Sequence, residues 1–271
     1  MAAAPSVGSL TDFVDEETQV AAPTMDGLRR YNLIAAAAHA VQAVLILVLS
    51  TDFTLPVTAT YLEGPPGTTP ADQIVLWDLP VALGVALFFA LSAAAHLLIA
   101  SPRVYPKYSA GVLLGHNYYR WVEYSLSSSL MIVLIAQLVG ISDVAALIAI
   151  FGVNASMILF GWLQEKYHQP GDGGWLPFFF GCLAGIVPWL VITIYLVGPG
   201  ATSDAEPPAF VYGIFLSLFF FFNIFALNQW LQYKQVGRWK NYLVGERAYI
   251  TLSLVAKSLL AWQVFAGTLA G

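Results

Sequence analysis

The stretch Tyr249-Ile-Thr-Leu-Ser253-Leu-Val-Ala-Lys257-Ser-Leu-Leu-Ala-Trp262 sets one lysine near the middle of an apolar run. On insertion scales a charge at the centre of a membrane helix costs about 2.5–3.5 kcal/mol. Roughly two turns or more of apolar helix flank Lys257 on either side, so snorkelling offers its amine little relief. A lysine kept in such a place is neutralised, paired or used covalently. Desolvated amines form Schiff bases readily, which makes covalent use the first reading to test.

Composition around that run sets the class. Of 271 residues, 58% are hydrophobic and 10% charged, and the mean hydropathy is +0.72. A soluble globular chain carries about 25% charged residues. So little charge cannot solvate a surface of this size, and a polytopic membrane protein follows. The net charge of −5 and the lack of a long basic run give no nucleic-acid surface. The single cysteine, Cys182, lies in an apolar segment and excludes an intramolecular disulfide and a Cys-based metal site. Residues 1–27 are acidic and polar with no apolar h-region, so no signal peptide is expected.

Seven spans follow, at 28–50, 77–100, 109–140, 143–164, 175–198, 209–233 and 244–269. Each holds enough residues to cross a hydrocarbon core. The third is longer than needed, and Gly111 to Arg120 is a soft start. The expected fold is an all-α membrane protein: a seven-transmembrane-helix bundle (28–271) behind a cytoplasmic N-terminal tail (1–27).

The basic residues orient it. Arg29, Arg30, Arg103, Lys107, Arg120, Lys166, Lys234, Arg238, Lys240 and Arg247 all fall on the N-terminal side of the membrane, and loops 51–76, 141–142 and 199–208 have none. A cytoplasmic N-terminus and an extracellular C-terminus in the cell membrane are expected. In the external loop, the β-favouring run Phe53–Leu62 precedes the turn signal Gly64-Pro-Pro-Gly67. A short extracellular β-hairpin between helices 1 and 2 is expected, with a strand edge able to serve a homodimer. An unpaired loop lid is the other reading.

Ionisable residues inside the spans are few. Glu123 is the only carboxylate well within one; Asp78, Asp143, Glu165 and Glu246 sit at span ends. The interior then holds one cation, Lys257, and one anion, Glu123, and pairing lowers the cost of both. His39 in span one and His96 in span two join Glu123 as candidates for one polar cluster, although a membrane histidine is ordinarily an interhelical hydrogen-bonding residue. Ser253 shares a helix face with Lys257, and Ser127 shares one with Glu123. Serines in spans often bond their own backbone. Arg120 has two candidate partners, Glu123 and Glu165; Glu165 is preferred, because Glu123 would be contested by Lys257. His116 and His168 belong near the interface. Trp162, Phe178–Phe180, Trp189, Phe219–Phe222, Phe225, Trp230 and Trp262 crowd the later spans. Lipid-facing or core packing explains most of them, and some are able to line a flat polyene pocket. No metal constellation and no Gly-rich phosphate loop is apparent.

Seven spans with a lysine in the seventh resemble the retinal-binding rhodopsins. The strings Arg120-Trp-Val-Glu123-Tyr-Ser-Leu-Ser-Ser-Ser129-Leu-Met131-Ile and Glu246-Arg-Ala-Tyr-Ile-Thr-Leu-Ser253-Leu-Val-Ala-Lys257-Ser-Leu-Leu-Ala-Trp262, with the inverted orientation, resemble the heliorhodopsins across the whole span region. The resemblance implies a rhodopsin-like bundle in which Lys257 holds all-trans retinal as a protonated Schiff base and Glu123 is the counterion. It implies that Ser253 bonds near the Schiff base and that His39, His96 and Ser92 manage its proton. It implies a pocket of Met131, Asn154, Met157, Trp162, Phe222, Gln229 and Trp262, and a homodimer in which the hairpin takes part.

Those roles point to a photoreceptor, not an enzyme. An ordinary light-driven proton pump has a carboxylate four residues before the lysine and another further along span three. Here Ser253 holds the first position and Leu134 lies eleven residues after Glu123. A sensor with a slow photocycle, no sustained ion pumping and a signalling partner on the cytoplasmic side is expected. Two alternatives stand beside it: a light-driven proton transporter or channel, and a seven-span transporter without retinal that uses the Lys257–Glu123 pair.

Overall fold

The computed structural model describes residues 10–202 and 206–270, without the side chains of 10–23 and 201–202. Residues 1–9 of the expected tail lie outside the described residues, as do 203–205 of the loop after span five. The described residues open with α1, Leu10–Leu49, so a helix already runs through residues 10–27 ahead of the expected first span. A hairpin of β1 (Thr54–Ala59) and β2 (Ile74–Pro80) follows, then α2 (Val81–Ala100) and the short α3 (Tyr105–Leu113). The remaining helices are α4 (Tyr118–Leu138), α5 (Val144–Tyr167), α6 (Leu176–Thr202), α7 (Ala209–Tyr233) and α8 (Tyr242–Val264). A single 3-10 turn, Gly237–Lys240, precedes α8, and a wide π turn, Phe265–Leu269, extends it.

Seven helices among the described residues are long and apolar enough to cross a membrane: α1, α2, α4, α5, α6, α7 and α8. Their outward faces are apolar; Leu183 and Leu190 of α6 and Leu216 of α7 are exposed. A bilayer solvates such faces and water does not. The inward faces of α2, α4, α6, α7 and α8 pack Phe88, Ile132, Ile192, Leu218 and Leu260 into one core. Small residues let the helices close up. A Cβ on Gly161 of α5 would lie 2.6 Å from the Trp121 ring of α4.

Side-chain caps start three of the spans. Asn117 accepts the Arg120 amide at 3.3 Å, Asp143 accepts that of Ala145 at 2.9 Å, and Asn241 accepts that of Leu243 at 2.9 Å. The first of these corrects the expected span 109–140. Gly115, at φ +79°, breaks the chain after α3, and Asn117 starts a new helix. The polar end of the expected span is a separate short element.

The hairpin is antiparallel, pairs Thr54 with Pro80 and Ala59 with Ile74, and slips register between Val57 and Thr58. Its connection runs from residue 60 to 73, longer than the Gly64–Gly67 turn alone. Its second strand takes Trp77 to Pro80 from the expected start of span two. Pro80 has no N–H to donate and leads directly into α2. Thr58 ties the hairpin to the loop before α5, donating its amide to the Ser142 carbonyl at 2.9 Å. On β2, Ile74, Val75 and Trp77 remain exposed.

Candidate functional site

The i, i+4 spacing on α8 stacks Ser253 and Lys257 on one face, and Nζ of Lys257 donates to Ser253 Oγ at 2.8 Å. The same amine donates to Oε1 of Glu123 on α4 at 3.1 Å. Ser92 on α2 donates to that carboxylate oxygen at 2.6 Å. Lys257 and Glu123 are both buried, at 3% and 9% exposure. Neither charge would be tolerated alone at that depth, and the pair with its two serines satisfies both. Nζ also lies 5.2 Å from the centre of the Tyr124 ring. Ser127, one turn beyond Glu123, is fully buried.

Beside this centre lie the two histidines. His39 on α1 and His96 on α2 stack with ring centroids 5.7 Å apart. His96 bonds through Nδ1 to Oδ1 of Asn32 at 2.7 Å. Both ring nitrogens of His39 are buried with no hydrogen-bond partner among the described residues.

A second buried ionic cluster corrects the expectation of one interior cation and one interior anion. Arg120 pairs with Glu165 of α5 and also with Glu246 of α8, and all three are buried. The guanidinium carbon lies 4.7 Å from the Trp121 ring and 4.1 Å from the Tyr249 ring. Asn117 donates to Glu246 Oε1 at 2.8 Å, and the Tyr108 hydroxyl of α3 donates to the same oxygen at 2.9 Å. Burial, with Glu246 adding to it, pushes the Tyr108 phenol well above its usual range, so it stays a donor. Glu246 is in the second turn of α8, because the Asn241 cap starts that helix earlier than the expected 244. His116 stacks on Tyr118 at 4.5 Å, and His168 pairs with Asp172 at 3.0 Å.

An apolar cavity opens at Lys257, lined by Tyr124, Met131, Met157, Phe222, Phe225 and Ser253, among others. A second shares Tyr124, Met157, Ile158, Phe222 and Phe225 with it and continues past Trp121, Trp189 and Gln229. Of the pocket residues expected from sequence, Met131, Met157 and Phe222 line the first void, and Gln229 lines the second. Asn154 is buried beside them and donates to Ser128 and Ser129 at 2.9 and 3.0 Å. Trp162 and Trp262 line neither void: Trp162 lies tilted against Tyr118, and Trp262 donates to Gln42 of α1 at 3.1 Å. Tyr124 went unassigned in the sequence although it adjoins Glu123, because helical rotation by one residue also carries side chains away from the seam.

The profile of the heliorhodopsin family matches residues 28–269. The chain belongs to the heliorhodopsin family. Among solved structures it is similar to the light-driven proton pump LR (Mac) of Leptosphaeria maculans, with 11% identity and a TM-score of 0.59 over 86% of this chain and 92% of that one. At that identity the likeness speaks for the seven-helix rhodopsin fold alone. Curated proteins include no match. Membership makes retinal the group to fit to this heliorhodopsin, and the residues suit it. A buried primary amine stands at the edge of an apolar void walled by aromatic rings and methionines, as an aldehyde on a flat polyene requires.

Proposed function

We propose that this heliorhodopsin is a light sensor that carries all-trans retinal on Lys257 as a protonated Schiff base, with Glu123 as counterion. The amine condenses with the aldehyde and one water leaves. When bound, retinal supplies visible-light absorption and a change of shape on excitation. The observation that carries the reading is the Lys257–Glu123 contact of 3.1 Å at the mouth of the apolar cavity.

The chain's own residues do the rest. Glu123 favours the positive charge on the Lys257 nitrogen. Ser92 donates to Glu123 and holds its carboxylate in place. Ser253, on the same helix face, accepts from the nitrogen. Tyr124, Met131, Met157 and Phe222 exclude water and hold the polyene. His96, which shares a cavity with Glu123, and His39 stacked on it take a displaced proton. The position one turn before Lys257 is a serine and not a second carboxylate, so a relay across the membrane lacks a station, and we infer no sustained pumping and a slow photocycle. The basic-residue asymmetry supports a cytoplasmic N-terminus, where a signalling partner would bind. The exposed Ile74, Val75 and Trp77 of β2 support a homodimer through the hairpin.

Adding all-trans retinal to the purified apoprotein tests this. A visible band is expected, lost in Lys257→Ala and red-shifted in Glu123→Gln. Borohydride reduction followed by mass spectrometry should find the adduct on Lys257. Illuminated vesicles should show no persistent pH change or current. A steady ionophore-sensitive pH change would establish a pump or channel instead, and an unmodified Lys257 with no visible band would leave a transporter without retinal.

A further inference from the structure

Asn32 on α1 sits between two buried groups. Its amide nitrogen donates to the Leu28 carbonyl at 3.0 Å and to the Tyr108 hydroxyl at 3.4 Å, and its amide oxygen lies 2.7 Å from Nδ1 of His96. Partners tell the two ends of an amide apart. Turned the other way, the oxygen would face the Leu28 carbonyl oxygen. The Tyr108 hydroxyl gives its own hydrogen to Glu246, so toward Asn32 it accepts. The amide oxygen therefore points at His96, and such an oxygen only accepts. His96 must carry its hydrogen on Nδ1, and in a neutral imidazole Nε2 is then a bare lone pair.

The surroundings give that lone pair a use. His96 lines a small cavity together with Asn32, Glu123, Arg120 and Glu246. His39 stacks on it with both nitrogens unpartnered. The charged or titratable groups around His96 are thus His39 on α1, Glu123, Arg120, Tyr119 and Tyr124 on α4, Lys257 and Glu246 on α8, and Tyr108 on α3 beyond Asn32. A neutral amide neither takes nor gives a proton near neutral pH.

We propose that Asn32 is a positioning residue: it holds His96 as the Nδ1–H tautomer, leaving Nε2 as a proton acceptor in the cavity shared with Glu123, and it sets a group that carries no proton between the ring and Tyr108. A proton taken up at Nε2 makes an imidazolium whose Nδ1 hydrogen stays on the amide oxygen. The amide cannot forward it to Tyr108. The use of this device rests on the photosensor reading; its geometry does not.

The test is 15N NMR of histidine-labelled protein in bilayers, in the dark, with the His96 signals assigned by their loss in His96→Gln. The Nδ1–H form is expected in roughly tenfold excess, the ratio one buried hydrogen bond supports, and Asn32→Leu should level it. A His96 that is mainly Nε2–H or doubly protonated, or a ratio unmoved by Asn32→Leu, overturns the assignment. A second variant, Asn32→Asp, sets an ionisable group between His96 and Tyr108. A light-triggered release of protons to a pH dye is expected there and not in the wild type. Equal signals in both would overturn the separating role. The dark spectrum needs no pigment, so a missing visible band would count against the photosensor reading and leave the tautomer standing.

Discussion

A Cβ on Gly185 of α6 would lie 2.5 Å from Sδ of Met157 on α5, and Met157 lines both voids beside Lys257. A larger residue at 185 must push the thioether into the cavity. Overpacking of this kind costs about 1–3 kcal/mol. Gly185→Val is therefore expected to lower the yield of visible pigment several-fold, and Met157→Ala in the same chain should recover it. The ratio of visible to protein absorbance after retinal addition measures both. An unchanged yield in Gly185→Val would show that the void does not hold the polyene there.

Arg120 balances two buried carboxylates, Glu165 and Glu246. Its replacement by Met leaves them facing each other unpaired, which costs about 3–5 kcal/mol. A large drop in thermal midpoint is expected for Arg120→Met. Adding Glu165→Gln and Glu246→Gln should restore much of it, since the removed charges no longer need a partner. A triple variant as unstable as the single one would mean that the arginine acts by packing on Trp121 and Tyr249.

Asn117 both caps α4 and donates to Glu246. Loss of an Asn cap costs about 0.5–2 kcal/mol. Asn117→Ala should lower unfolding stability by that order. Asn117→Asp keeps a capping oxygen but sets a second carboxylate against Glu246, and is expected to be the worse of the two. Comparing the two unfolding midpoints decides it.

In the exposed loop between α5 and α6, Asp172 accepts the Gly174 amide at 2.7 Å and the Gln169 amide at 3.0 Å, and pairs with His168. The Gly174 amide first, then Gln169 and His168, hold its carboxyl below the usual range. A depressed folded pKa stabilises the loop above the unfolded value of about 3.9, and that contribution fades as pH falls through the lower folded value. Hydrogen exchange at the Gln169 and Gly174 amides should show protection at neutral pH that is lost in acid. Asp172→Ala should abolish protection at every pH, and protection that grows on acidification would contradict the assignment.

The sequence made some of this legible and hid the rest for physical reasons. Lys257 and Glu123 stood out because a solitary charge in an apolar run has no other explanation, and the structure sets them in contact. Glu246 was hidden because a carboxylate near a span end is ordinarily solvated. Its spacing of seven residues from Ser253 and eleven from Lys257 placed it on their helix face and was the available signal. The hairpin showed in its β-favouring run, but its second strand read as the start of a span, since Ile74–Leu79 is as apolar as the helix it enters. Trp162 and Trp262 are assigned to a polyene pocket by the family resemblance, since composition alone does not say which aromatics line it; in the structure they contact Tyr118 of α4 and Gln42 of α1.

Because Gly115 breaks the chain, Tyr108 reaches Glu246 from a short amphitheatre-side helix and not from a membrane span. One side chain outside the seven spans thus supplies both a donor to Glu246 and an acceptor to Asn32, so two buried polar groups depend on a single tether.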